Sequence, residues 1–270
     1  PNHLANARTD AALTDTAEVQ EIWKRLRSRY PHAVYWDAFA GAFGELINSA
    51  DAGLRDGKYW DVIGDVYMQW GIPNKHSGQF FTPYHIAEMM AMITMQDVDQ
   101  QLHARIKDAI NKDVYAQAAV LAGLAFRQPQ EIADWFLTRV LPAAAPHVDP
   151  ITVHDPACGS GVMLLAAAAQ VPRWALDYNL VRFYGMDIDL TCVRMAQVNC
   201  MLYGLNGYGI RCALELSQAD LSRLPEPVAA AYAEAQQAAS SGDQERVEQI
   251  AIDLKTGAYK QANLFEIVTD

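Results

Sequence analysis

Two glycines and a downstream acid have the spacing of a loop that holds a nucleoside-type ligand. Residues 155–161 read DPACGSG and stand between a short β-type run and an apolar helical run. Gly159 and Gly161 let the backbone turn sharply and admit a ligand close to the main chain, and the following helix offers free N–H groups at its first turn. Asp187 ends the next β-type run, where an acid accepts hydrogen bonds from ribose hydroxyls in doubly wound sheets. The pattern predicts a ligand site at this loop.

The residue at position 164 narrows the class of ligand. A dinucleotide-binding loop carries a third glycine three residues after the second, but this chain has Leu164 there. The bulky side chain leaves little room for a pyrophosphate, so a nicotinamide-dependent oxidoreductase is the least favoured interpretation. An adenosine-containing ligand without a pyrophosphate fits better, and S-adenosylmethionine (SAM) is the candidate cofactor.

The elements that position the loop form an α/β pattern in the second half of the chain. β-type runs cover residues 151–155, 180–189 and 209–216, and helical runs cover 162–169 and 190–203. Strands that alternate with helices pair in parallel through right-handed crossovers. The pattern therefore predicts a parallel sheet, followed over residues 226–251 by one or two polar helices with few large apolar anchors.

The first half of the chain is predicted to be helical. Apolar residues recur at helical spacing over 19–30, 34–54 and 59–70, again from Tyr84, and over 97–146. We therefore divide the chain into a helical region, residues 1–149, and a ligand-binding α/β region, residues 150–270, that is expected to be incomplete.

Composition limits the partners and the compartment. The chain has 21 Lys and Arg against 32 Asp and Glu, a net charge of −11, which argues against tight binding to DNA without a partner. It contains no apolar run long enough for a membrane span. Its four cysteines form no C-x-x-C pair, so neither a metal site nor a redox motif is predicted, and a reducing cytoplasm is the expected location.

Three segments together resemble one enzyme family. They are GQFFTP at residues 78–83, DPACGSG at 155–161 and YGMDID at 184–189. In this chain order they resemble the motifs of N6-adenine DNA methyltransferases, above all the methylation subunits of type I restriction-modification systems. The resemblance covers roughly residues 55–95 and 150–210. It implies a SAM-dependent methyltransferase (Rossmann-like) core after an N-terminal helical domain, with SAM as methyl donor and adenine N6 in DNA as acceptor.

The upstream segment and the first acid are implied to hold the methionine end of SAM. By the resemblance, Phe81, Thr82 and Pro83 lie against that end, and Asp155 lies near the amino group of the cofactor. The alternative interpretations are structural: Phe81 as a core aromatic residue and Asp155 as a helix N-cap.

The remaining cofactor residues are implied to approach the rest of SAM. Gly159 and Gly161 let the backbone come close, and Ala157 belongs to the same loop. Asp187 holds the ribose, and Ile188 packs against the adenine. Asp187 as an ordinary turn acid is the structural alternative.

The catalytic motif of the family is missing in its usual form. The family uses Asn/Asp-Pro-Pro-aromatic to hold the adenine amine and to stack on the flipped base, but this chain contains no Pro-Pro. The nearest match is Ala-Asn-Leu-Phe at residues 262–265, which makes Asn263 and Phe265 the candidate catalytic residues. This string follows Lys260-Gln261 rather than an apolar strand.

Several functions stay open at this level. In the first interpretation, the chain is an adenine methyltransferase acting on DNA through partner subunits, such as a specificity or restriction subunit. Alternatively, it is a SAM-binding pseudo-methyltransferase or regulatory subunit, or a fragment whose catalytic part is absent. A SAM-dependent enzyme for another acceptor is a weaker alternative, because GQFFTP belongs to the adenine-modifying group.

Overall fold

A computed structural model of the chain describes residues 17–71, 81–205, 209–217, 221–222, 224, 226–255 and 266–268. The chain divides into two units, residues 1–52 and 53–270. The first unit holds helix α1 (Ala17–Arg29) and most of α2 (Ala33–Arg55). Its helices are joined by aromatic contacts, with the rings of Trp23 and Trp36 5.6 Å apart and the Trp36 indole N–H donating to the Tyr30 carbonyl over 2.9 Å.

The second unit begins with the helices that precede the sheet. They are α3 (Val62–Gln69), α4 (Tyr84–Thr94), α5 (Val98–Lys112), α6 (Val114–Gly123) and α7 (Pro129–Trp135), followed by a π-helical turn (Phe136–Val140), α8 (Leu141–Ala144) and a 3₁₀ turn (Ala145–His147). Side-chain caps define two of the starts, since Asp61 accepts from the Gly64 N–H of α3 and Asp113 accepts from the Ala116 N–H of α6. The helices predicted over 97–146 are confirmed.

The sheet has the strand order β3-β2-β1-β4. The strands are β1 (Ile151–Asp155), β2 (Val181–Asp187), β3 (Ile210–Cys212) and β4 (Glu266–Val268). β1 pairs in parallel with β2, and β2 in parallel with β3, which confirms the predicted parallel pairing of three strands. β4 pairs antiparallel with β1 and was not predicted.

One predicted strand is shorter than expected. The sequence predicts a strand over residues 209–216, but β3 ends at Cys212 and a 3₁₀ turn follows over Ala213–Glu215. The Gln236 side chain of a later helix takes the Ala213 and Leu216 carbonyls as acceptors. The hydrogen bonds of these carbonyls are therefore satisfied without a neighbouring strand. In the part of the chain that the structure describes, the α/β core consists of four strands rather than a complete Rossmann sheet.

The crossover helices cover the sheet. α9 (Val162–Ala168) and α10 (Arg173–Asp177) connect β1 to β2, and α11 (Leu190–Leu202) connects β2 to β3. All seven residues of α9 are buried, because α9 packs against α4 on one side and β1 on the other. Leu164, at the position where a dinucleotide loop has glycine, is fully buried.

Two helices after the sheet form a second core. α12 (Glu226–Ser241) and α13 (Gln244–Lys255) pack on each other. Large apolar side chains are few here, as predicted, and alanines do much of the packing. The buried cluster joins Ile188 and Ala213 of the sheet region to Leu221, Val228, Ala231, Tyr232, Ala235, Ala238, Val247, Ile250 and Leu254.

Two further properties of the described residues bear on the sequence analysis. The four cysteines are all free and buried. Within the ranges given above, no helix is both long enough and apolar enough to cross a membrane.

The buried side of α9 gives a stability prediction. We expect Leu164→Ala to lower the free energy of unfolding by about 2–5 kcal/mol, because the fully buried site leaves a cavity that its neighbours refill only in part. Leu121→Ala on α6 is the matched control, since Leu121 is 67% exposed and its loss should change stability by less than about 0.5 kcal/mol. Urea unfolding followed by circular dichroism measures both variants, and equal losses would contradict the prediction.

Candidate functional site

The glycine loop is fixed to the neighbouring strand by backbone hydrogen bonds. The Cys158 N–H donates to the Met186 carbonyl of β2 over 2.8 Å, and the Gly161 N–H donates to the Cys158 carbonyl over 2.7 Å. Asp155, the last residue of β1, is buried, and its Oδ1 accepts the Ala157 N–H over 3.0 Å. The loop therefore turns directly off the end of β1.

Both glycines of the loop have backbone angles that favour glycine. Gly159 has φ of +54° and Gly161 has φ of +90°, the left-handed region that costs other residues about 1–2 kcal/mol. A Cβ at Gly159 would lie 3.2 Å from the Phe81 ring, and one at Gly161 would lie 3.2 Å from the Ala196 Cβ. Close packing and backbone angle thus both require glycine here.

Asp187 organises the loop from behind. It is the last residue of β2 and is 3% exposed. Its Oδ2 accepts the Gly159 N–H and its Oδ1 accepts the Asp189 N–H, each over 2.9 Å. Asp189 in turn caps α11 by accepting the Thr191 N–H over 2.7 Å. The predicted ribose-binding acid therefore already orders the loop and the start of α11.

A cavity of about 170 Å³ lies against the loop. Five of the nine predicted cofactor residues line it, namely Phe81, Thr82, Asp155, Ala157 and Gly159, together with Met90, Cys158, Ser160, Val162 and Met163. Pro83 caps α4 next to Thr82. Gly161 belongs to the loop and Asp187 ends β2, and neither lines the cavity.

The lining of the cavity has the chemistry that the amino-acid end of a ligand such as SAM requires. Its wall combines a buried carboxylate at Asp155, the backbone of Gly159 and the aromatic ring of Phe81. A carboxylate suits an ammonium group, and an aromatic ring suits an apolar chain or a nearby cation. Burial raises the pKa of the Cys158 thiol well above its usual range, so this group is neutral. This combination of a carboxylate, a backbone turn and an aromatic ring suits an amino-acid-like group.

Ile188 lies elsewhere in the packing. It is 9% exposed and belongs to the buried cluster formed with α12 and α13. In the same cluster the fully buried Tyr232 hydroxyl donates to the Pro156 carbonyl of the glycine loop. Burial raises the pKa of Tyr232 well above its usual range, so it stays a neutral donor. The side chain predicted to meet adenine is therefore packed beneath α12.

The candidate catalytic residues Asn263 and Phe265 lie outside the described residues. They stand shortly before β4 in the chain, whereas the resemblance puts the motif after a strand. Glu266 of β4 pairs with His154 of β1, so the chain enters β4 beside the end of β1 from which the glycine loop departs.

Comparisons with known proteins agree with the geometry. Residues 110–226 match the family model described as N-6 DNA Methylase. The resemblance to the N6-adenine DNA methyltransferases is confirmed. The matched region contains the glycine loop and Asp187, while Phe81, Thr82 and Pro83 precede it.

Two curated relatives are methylase subunits. The chain is 34% identical over 56 residues to the type I restriction enzyme MjaIX methylase subunit of Methanocaldococcus jannaschii, a match covering 21% of this chain and 10% of that protein. It is 24% identical over 195 residues to the type I restriction enzyme MpnII methylase subunit of Mycoplasma pneumoniae, covering 69% of this chain and 34% of that protein. The matches thus span about a third or less of these relatives. No solved structure matches the chain.

A polar network that the sequence does not predict lies against the loop. The buried Asp61, the N-cap of α3, accepts from the Ser160 hydroxyl of the loop and from the Asn199 amide of α11. Only the cap signal was legible, as an acid three residues before Gly64 at the start of an apolar helix. The approach of Asp61 to residues about a hundred positions away had no local signal.

The backbone angle of Gly161 leads to the second prediction. Gly161→Ala and Gly242→Ala place the same methyl group at positive φ, +90° and +78°, but only position 161 is crowded, since nothing lies within 4 Å at 242. We expect Gly161→Ala to destabilise the protein by about 1–3 kcal/mol more than Gly242→Ala does, because Ala196 must move. Thermal unfolding at matched concentration compares them. Equal destabilisation would show that the packing against α11 is unimportant.

Proposed function

We propose that the chain supplies the SAM-binding part of a DNA N6-adenine methyltransferase, as the methylation subunit of a type I restriction-modification system. One observation carries the proposal, namely the cavity bounded by Asp155, Gly159 and Phe81 at the carboxyl edge of parallel strands. Ligands of open α/β sheets bind at this edge. The family match over residues 110–226 and the names of the two relatives support the same function.

The residues of the cavity have distinct proposed roles. SAM, when bound, supplies an activated methyl group. The Asp155 carboxylate holds the amino group of the methionine end by a charge-assisted hydrogen bond. Gly159 has no side chain and so leaves room for the ligand, and Phe81 and Thr82 line the same cavity. Asp187 keeps the loop in this shape through the Gly159 N–H.

The acceptor is proposed to be adenine N6. The lone pair of this amine is delocalised into the ring, so the protein must accept its N–H bonds and hold the flipped base. Asn263 is the proposed acceptor and Phe265 the proposed stacking residue. Nearness in the chain supports the assignment, because both stand just before Glu266, which pairs beside the loop end of β1, although the motif of the family follows a strand.

DNA is proposed to be held with the help of partner subunits. The net charge of −11 repels a polyanion, and neutralisation of phosphates supplies much of the affinity in protein–DNA complexes. A specificity or restriction subunit that carries a basic surface would supply the missing cations.

A second candidate function is a subunit that keeps the methyltransferase scaffold without transferring methyl groups. The position of Ile188 favours it, because α12 and α13 cover the side chain that the resemblance assigns to adenine. In this candidate the hairpin of α12 and α13 replaces the adenosine half of the ligand.

Calorimetric titration with SAM tests the first function. We expect saturable binding, and we expect Asp155→Asn to weaken it about tenfold or more, because a hydrogen bond to a charged group contributes roughly 1.5–3 kcal/mol. Asp108→Asn is the matched control, since Asp108 is 62% exposed and pairs only with Lys112 among the ion pairs of the described residues. Its affinity for SAM should equal that of the unchanged chain.

The same titration separates the two candidates. No binding at millimolar SAM, by a chain that circular dichroism shows to be folded, overturns the first function and supports the second. Binding accompanied by faster hydrogen exchange in α12 supports the first and shows that the hairpin moves aside. Methyl transfer is then assayed with adenine-containing DNA and the partner subunits.

A further inference from the structure

We infer that helix α3 positions the glycine loop for its ligand through two contacts, Asp61 at its start and Tyr67 in its last turns. The inference rests on the proposed function in that it takes this loop to hold SAM. Both side chains act through loop and wall residues and neither lines the cavity, so they are positioning residues.

The first contact is the network around Asp61. This carboxylate is 5% exposed. Its Oδ1 accepts the Gly64 N–H over 2.8 Å and the Asn199 amide over 2.7 Å, while its Oδ2 accepts the Ser160 hydroxyl. The Asn199 amide also donates to the Ser160 carbonyl over 2.9 Å. Ser160 is therefore held by both its side chain and its backbone.

Gly64 lets α3 come this close. A Cβ at Gly64 would lie 2.5 Å from the Ser160 Oγ, which is too short for any carbon–oxygen contact. The first turn of α3 therefore rests directly on the loop, and a larger residue at position 64 would have to displace the Asp61 and Ser160 side chains.

The second contact is an aromatic stack. The Tyr67 and Phe81 rings have centroids 5.8 Å apart and planes at 19°, an offset-stacked arrangement. The Phe81 ring in turn lies against Gly159, 3.2 Å from where a Cβ would stand. α3 thus supports the cavity wall at Phe81 while it holds Ser160. The two adjacent loop residues, 159 and 160, are fixed from one helix.

The contact between α3 and the loop depends on pH, because the Asp61 carboxylate can be protonated. Burial is the main effect and raises its pKa to about 6, against the opposing effect of the donors Ser160, Gly64 and Asn199. Three donors converge on the ionised form, so a proton on the carboxyl adds a fourth hydrogen to the same space and loosens the contact with Ser160.

Three titratable groups of the described residues interact with Asp61. They are Asp65 on α3, Cys200 on α11 and Tyr203 at the end of α11. Burial raises the pKa of both Cys200 and Tyr203 to about 12, so these two stay neutral through the neutral range. Asp65 is exposed and serves as the control position.

Hydrogen–deuterium exchange without ligand tests the inference. Asp61→Asn keeps the shape of the side chain but removes its charge, and we expect the amides of residues 158–161 to exchange several-fold faster. Asp65→Asn, one turn along the same helix, should leave their exchange unchanged. Tyr67→Leu, which removes the stack and keeps an apolar side chain, should speed exchange at Gly159.

SAM titrations across roughly pH 5 to 8 provide the second readout. We expect the unchanged chain to lose up to about tenfold in affinity per pH unit below the pKa of Asp61. We expect the Asp61→Asn profile to lack that step and the Asp65→Asn profile to keep it. If the role of Asp61 were purely structural, Asp61→Asn would weaken SAM binding by the same factor at every pH.

The two readouts separate the possible failures. Unchanged exchange in both Asp61→Asn and Tyr67→Leu overturns the inference, whatever the chain binds. If the unchanged chain binds no SAM but exchange rises as expected, the proposed function fails and the role of α3 in ordering the loop stands. A Ser160→Ala change should reproduce the Asp61→Asn exchange, and the double variant should add little, because coupled partners are not additive.

Discussion

The hydrogen bond from the Gly159 N–H to the Asp187 carboxylate, 2.9 Å long, joins the ends of two parallel strands. The loop after β1 has left-handed backbone angles at Gly159 and Gly161, and a free chain would not hold them. Asp187 provides the acceptor that holds Gly159, and the Met186 carbonyl holds Cys158. That fixed turn determines the wall of the cavity, the start of α9 and the surface on which Phe81 packs.

The polar interior of the protein is concentrated at this loop. Among the described residues, the buried polar side chains are Asp61, Asp155, Ser160, Asp187 and Asn199, and each belongs to the loop or bonds to it. Burying such groups is unfavourable unless their hydrogen bonds are satisfied. Three carboxylates in one small region are costly for the folded state, so the region has the character of a functional site rather than of ordinary core.

Much of this site could be predicted from the sequence because its signals are local. A strand, a Gly-x-Gly turn and an apolar helix follow one another within residues 151–168, so spacing predicts a ligand loop at Gly159 and Gly161, while the role of Asp155 is implied by the family resemblance. The acid at the end of β2 could be assigned in the same way.

The rest depends on contacts between distant residues. Asp61 bonds to Ser160 and Asn199, which are 99 and 138 positions away in the chain, and no local sequence pattern predicts such a pairing. The packing of α12 was underestimated because alanines, which carry a weak hydrophobic signal, fill the narrow space over Ile188. β4 escaped prediction because it has three residues.

The hairpin of α12 and α13 has a thermodynamic consequence for any ligand that must reach Ile188. Such a ligand binds only to molecules in which the hairpin has opened, and its apparent dissociation constant is the intrinsic one divided by that open fraction. With about 1% of molecules open, an intrinsic micromolar affinity would be measured as roughly 100 μM. Anything that drew α12 away from Pro156 would raise the affinity for such a ligand without touching the ligand itself.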